Sequence, residues 1–161
     1  MRIEKVIVSI LLLVVSTVVL GQHEETNKEH KERGVYELIS SGIYSYSFHD
    51  KTGEVGAEFH FTYWFNHKWG AGISYTAKFK DETVLNEIAL LGSWNPLKWA
   101  TVNFGPNFSL PSEHENFRLG AYLESEINIR PTSWFHFGPV IGTVYSEHFE
   151  LNVGVHLGFE L

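Results

Sequence analysis

The stretch "FELNVGVHLGFEL" (149–161) separates into two unlike sets when its residues are taken alternately. Phe149, Leu151, Val153, Val155, Leu157, Phe159 and Leu161 form one set; Glu150, Asn152, Gly154, His156, Gly158 and Glu160 form the other. Successive side chains of a β-strand point to opposite faces, so as a strand this segment has one hydrocarbon face and one charged or small face.

The same alternation runs back through the chain. "VGAEFHFTYWF" (55–65) sets Val55, Ala57, Phe59, Phe61, Tyr63 and Phe65 against Gly56, Glu58, His60, Thr62 and Trp64. "WGAGISYTAKF" (69–79) and "FRLGAYLESEINI" (117–129) divide the same way, with Lys78 on the polar face of the first and Arg118, Tyr122, Glu124 and Glu126 on that of the second. No segment after Gly34 has a helical period. Eight strands are expected, at 35–48, 55–65, 69–79, 86–94, 99–109, 117–129, 134–145 and 149–161, and each suffices for the ~9–11 tilted residues that cross a bilayer. The expected fold class is all-β: an eight-stranded antiparallel up-and-down β-barrel over residues 35–161, a transmembrane one if its apolar face is outward.

Alternation alone does not say which face is inside. A soluble ligand-binding barrel of the lipocalin type turns its apolar face inward, whereas a membrane barrel turns it to lipid. The five tryptophans favour the second arrangement. Trp64, Trp69, Trp94, Trp99 and Trp134 all flank the connections after strands two, four and six, as in "SWNPLKW" (93–99). Indole has an apolar body and one N–H donor, and settles where hydrocarbon meets headgroups. All five are therefore expected as interface anchors at one end of the barrel. Those connections also hold Lys68, Lys98 and Arg130, while the opposite connections are acidic and hold His49, His114 and His148.

The beginning of the chain agrees with export. Arg2 and Lys5 precede an apolar run from Val6 to Leu20 and then Gly21, the layout of a signal peptide over 1–21. Residues 22–34, "QHEETNKEHKERG", are expected to be a flexible polar lead-in. The chain of 161 residues carries a net charge of −7 and no cysteine, which excludes disulfides and a lipid anchor and argues against nucleic acid as a partner.

This pattern resembles the small outer-membrane β-barrel proteins, the class of the eight-stranded OmpA-type and OmpX-type barrels. The resemblance covers residues 35–161. It implies a C-terminal signal read by the barrel-assembly machinery, with Asn152, Gly154, Leu157 and Phe159 in the matching positions; Leu161 stands where an aromatic residue is commonest. It also implies outer-membrane lipids and lipopolysaccharide as surroundings, and both termini on the periplasmic side.

Eight strands leave an interior only wide enough for side chains. The inward face is expected to hold a polar network of Glu58, His60, Lys78, Arg118, Glu124, Glu126, His136 and His156, together with Glu37, Glu87 and Glu150. Counting from the turns puts Glu58 beside Thr76, Glu126 beside Gly138, and Asn128 beside His136. A structural salt-bridge core is the expectation, with no cofactor, no metal and no catalytic centre in a monomeric protein of structural or partner-binding role. The sharper alternative is a metal or proton site of His60, Glu124, Glu126 and His156. A lipid A-modifying enzyme of the deacylase kind is a further alternative, with rim candidates Ser112, His114, Ser146 and His148. The strand-borne His-x-Ser pair of such deacylases has its nearest match in His60-Phe61-Thr62, which has threonine and faces inward.

Overall fold

A computed structural model describes residues 34–80, 83–112 and 116–161. The signal peptide and nearly all of the polar lead-in lie outside the described residues, as does His114 of the rim candidates. Eight strands follow one another: β1 Val35–Ser47, β2 Thr52–Trp64, β3 Trp69–Lys80, β4 Thr83–Leu97, β5 Ala100–Ser109, β6 Arg118–Ile127, β7 Phe135–Tyr145 and β8 Phe149–Glu160. Each pairs antiparallel with its neighbours in sequence, and β8 returns to β1, closing the barrel. Closure leaves no edge strand, so the main-chain ladder runs round the ring, with interruptions between β4 and β5 and between β6 and β7.

Every strand keeps the two-residue period, and its apolar face is outward. Phe59 and Phe61 of β2 are each 46 % exposed and Val155 of β8 67 %, while Glu58, His60 and His156 between them are at most 1 % exposed. The outside is thus a belt of aromatic and aliphatic side chains. The inside is not wholly polar: Ala89, Leu91, Tyr122 and Val144 form a small apolar island.

The first residues of β1 pair with the last of β8, and Leu161 N donates to Tyr36 O at 2.8 Å. The turns β2–β3, β4–β5 and β6–β7 lie at that same end. Trp69 and Trp94 face each other across β3 and β4 with their rings stacked 6.0 Å apart, and Trp134 stacks on Phe159 at 6.2 Å. Trp69, Trp94 and Trp134 are exposed. Trp99, in the turn between β4 and β5, is half-buried.

Trp64 departs from the expectation of an interface anchor. It lies on the inward face of β2, only 8 % exposed, and its Nε1 donates to Glu37 Oε2 at 2.9 Å. Position parity outweighs residue type here: Trp64 alternates with Tyr63 and Phe65, which take the outward places. Replacing Trp64 by phenylalanine leaves a buried carboxylate oxygen short of its donor, a loss of about 1.5–3 kcal/mol in urea unfolding. Trp134→Phe, at an exposed ring, is expected to cost clearly less; equal losses at the two positions would contradict the inward placement.

The register of one hairpin also differs from the expectation. Glu126 pairs with Val140 rather than Gly138, because the β6–β7 connection closes on an isolated bridge, Ile129 to Phe137, with Arg130–His136 enclosed. The β2–β3 register does place Glu58 opposite Thr76.

Candidate functional site

The interior side chains fall into three layers along the barrel axis. In the layer next to the acidic rim, Lys78 of β3 donates to Glu87 Oε1 of β4 at 2.9 Å and to Glu150 Oε2 of β8 at 2.5 Å. Asn107 Nδ2 donates to the other oxygen of Glu87 at 3.3 Å, and Ser45 Oγ donates to Glu150 at 3.4 Å. Above this layer a shallow cavity opens to the rim, with Arg118, Lys80, Asp50, Glu54 and His148 on its walls.

The middle layer is carried by β2 and β6, on opposite sides of the ring. Glu58 Oε1 accepts from Ser74 Oγ at 3.1 Å, Thr76 Oγ1 at 2.8 Å and Tyr122 OH at 3.0 Å. His60 Nε2 is 3.4 Å from Glu58 Oε1 and 3.8 Å from Glu124 Oε1, and its Nδ1 is 3.5 Å from Glu126 Oε1. Asn103 Nδ2 donates to Glu126 Oε1 at 2.9 Å, while its own Oδ1 accepts from Ser93 Oγ at 2.7 Å. Among the described residues, one ligand atom each from Glu58, His60 and Glu124 lies within 4.8 Å of the others.

The third layer, toward the tryptophan end, centres on Glu37. One oxygen takes Trp64 Nε1 and the other lies 2.8 Å from His136 Nε2. A chain continues from His136 Nδ1 to His156 Nε2 at 3.3 Å, then to Asn128 Oδ1 at 3.1 Å. Asn128 Nδ2 donates to Thr101 Oγ1 at 2.8 Å, whose hydroxyl donates to Asn95 at 2.8 Å.

The structure therefore regroups the residues expected inside. His60, Glu124 and Glu126 do come together, but His156 belongs to the Glu37–His136 layer and Glu58 takes its place. Tyr122, Asn103, Ser74 and Asn128 carry essential contacts that no motif announces. For Tyr122 the signal was its even position on β6, on the same face as Glu124 and Glu126. Arg118 stands higher, on the cavity wall at the rim.

The rim holds no assembled nucleophile and base among the described residues. Ser112 Oγ is enclosed and has no hydrogen-bond partner. His148 stacks flat on His49, ring centres 3.8 Å apart. His60 and Thr62 are both buried in the interior, with Phe61 between them facing out. Of the assembly-signal positions, Asn152 is buried, Leu157 is exposed and Phe159 packs against Trp134 and Phe135.

No family model matches the chain, and no curated protein matches its sequence. Solved structures do match its shape. The N-terminal β-barrel domain of Pseudomonas aeruginosa OprF aligns with a TM-score of 0.56 at 15 % identity, over 80 % of this chain and all of that one (100 %). Ail, the attachment invasion locus protein of Yersinia pestis, gives 0.54 at 10 % identity, covering 82 % of this chain and 100 % of Ail. Neisserial surface protein A gives 0.56 at 8 % identity, over 80 % of this chain and 97 % of that one. With sequences this distant, what is shared is the fold, and it is that of the small eight-stranded outer-membrane β-barrels.

Proposed function

We propose that this chain is an integral protein of a bacterial outer membrane, with its short-turn end and both termini periplasmic. The bore is filled by side chains, so the protein serves as a structural or surface-binding component and not as a general pore. The observation that carries this reading is the closed ring of exposed aromatic and aliphatic residues around a charged interior, the reverse of a soluble barrel. A patch of a few hundred Å² is already large for a soluble monomer, and here the apolar surface encircles the molecule. Trp69, Trp94 and Trp134 anchor its lower margin; Phe48, Phe79, Phe117 and Phe149 supply an aromatic margin at the other.

The non-pore reading rests on bonds that cross the bore. Tyr122 of β6 reaches Glu58 of β2 on the opposite wall, and Lys78 of β3 reaches Glu150 of β8. Two of the connections at the rim are short: residues 48–51 join β1 to β2, and 146–148 join β7 to β8. They offer lipopolysaccharide and neighbouring proteins a small acidic and histidine-bearing surface.

Assembly into lipid vesicles tests the membrane reading. The wild-type barrel is expected to enter vesicles and to migrate differently on gels when unboiled and boiled. Val155→Arg places a charge at mid-height of β8, opposite Gly42 of β1. In a bilayer that costs about 2–4 kcal/mol, whereas an exposed site on a soluble protein stays within about 0.5 kcal/mol. A wild-type protein that stays in plain buffer, with Val155→Arg indistinguishable from it, would overturn the proposal.

A further inference from the structure

The middle layer holds a cluster whose charges do not balance. Glu58, Glu124 and Glu126 converge on one imidazole, that of His60, and none of the four is more than 1 % exposed. In the Lys78 layer one ammonium meets two carboxylates, and one of those, Glu150, is partly open to solvent. Here three carboxylates share one ring, and the set remains net negative even when that ring is protonated. The Oε2 atoms of all three glutamates, and Nδ1 of His60, have no hydrogen-bond partner. Buried carboxylate oxygens in this state call for a positive charge or a proton.

The geometry points to a divalent metal site inside the barrel, with Glu58, His60 and Glu124 as ligands and Glu126 as the third carboxylate beside them. The ligand atoms of the first three lie within 4.8 Å of one another, and small side-chain rotations bring such a set onto one ion at bond lengths of about 2.0–2.2 Å. One imidazole with two or three carboxylates suits Zn²⁺ or a similar first-row dication. Ca²⁺ is disfavoured, since it takes six to eight oxygens. The surrounding contacts already orient these ligands: Ser74, Thr76 and Tyr122 hold Glu58 Oε1, and Asn103 holds Glu126 Oε1 and reaches Glu124. Outer partners of this kind fix ligand orientation in metal sites. Because β2 and β6 face each other across the bore, a bound ion ties opposite walls together. The Lys78 layer on one side and the Trp64–Glu37 layer on the other enclose it, so the ion is taken up as the barrel closes.

The test is to fold the full barrel from urea into vesicles with Zn²⁺ present, remove external metal with a chelator, and count zinc per folded protein by elemental mass spectrometry. About one Zn²⁺ per folded wild-type barrel is expected, falling about tenfold or more in Glu124→Gln and in Glu58→Gln. His49→Gln, which alters an exposed rim histidine, should retain the wild-type amount. Each glutamine variant is nearly isosteric and removes an uncompensated charge, so without metal it assembles at least as well as wild type. Zinc should raise the temperature at which the wild-type folded band disappears, and leave that of Glu124→Gln unchanged. Zinc absent from the folded wild type, or retained equally by both glutamine variants, would overturn the proposal and leave shared protons as the balancing charge.

Discussion

Lys78→Met is expected to destabilise the barrel by about 3–5 kcal/mol, the cost of removing one partner from a buried ion pair. The ammonium is 1 % exposed and sits between Glu87 Oε1 at 2.9 Å and Glu150 Oε2 at 2.5 Å. Without it, two carboxylates from β4 and β8 face each other across the bore, with the amide and hydroxyl donors of Asn107, Ser109 and Ser45 beside them. The Lys80–Glu54 pair nearby supplies the comparison. At 3.4 Å, with Lys80 35 % exposed, it is screened by solvent, and Lys80→Met should cost under about 1 kcal/mol. Urea unfolding of vesicle-inserted protein, read from the folded band on unboiled gels, measures both. Adding Glu87→Gln to Lys78→Met should recover part of the loss, since the double variant removes one of the stranded charges. If Lys78→Met costs no more than Lys80→Met, the buried lysine is not holding these walls together.

How far such a layer was legible in the sequence follows from what alternation encodes. Parity assigns each residue to a face: it puts Glu58, His60, Lys78, Glu124 and Glu126 on the faces that the structure turns inward. Parity holds even against residue type, as Trp64 shows by turning its indole to Glu37 instead of to the outer surface. Hairpin counting fixes neighbours where the turn is regular, which is why Glu58 falls opposite Thr76. It fails by one residue pair at Glu126, where the chain needs Arg130–His136 to turn the corner.

Contacts across the bore are another matter. Whether Tyr122 meets Glu58, or Lys78 meets Glu150, depends on the tilt and stagger with which eight strands close, and these are properties of the whole ring. The sequence therefore supplied most members of the interior network but not its partition into layers. Residue type alone groups His156 with His60, and the ring's geometry assigns it to His136 and Asn128 instead.

Gly105→Ala is the second substitution with a large expected effect. "FGP" occurs twice, at 104–106 and 137–139, and proline within a strand removes a ladder donor. A closed barrel has no edge on which to hide that loss. The ladder is interrupted instead: β4 and β5 pair at Ala89–Asn107 and again at Gly92–Phe104, with no rung between them. β6 and β7 likewise pair at Glu126–Val140 and then only at the bridge Ile129–Phe137, with Pro139 in the gap. At each gap the glycine before the proline lets the neighbouring strand's carbonyl come close. A Cβ on Gly105 would overlap Leu90 O, and one on Gly138 would overlap Ile127 O. The obstacle is main chain, and Leu90 is held on its other side by β3, so neither strand yields without breaking further rungs. Overpacking of this kind costs about 3 kcal/mol. Gly42→Ala is the control: its Cβ meets nothing within 4 Å, and alanine there should be neutral or stabilising by about 0.4–1 kcal/mol through the unfolded chain. Unfolding of the three variants in vesicles should therefore rank Gly42→Ala at or above wild type, with Gly105→Ala and Gly138→Ala well below it. Equal stability for all three would mean that the strands at these gaps stand further apart than the close approach of Leu90 and Ile127 requires.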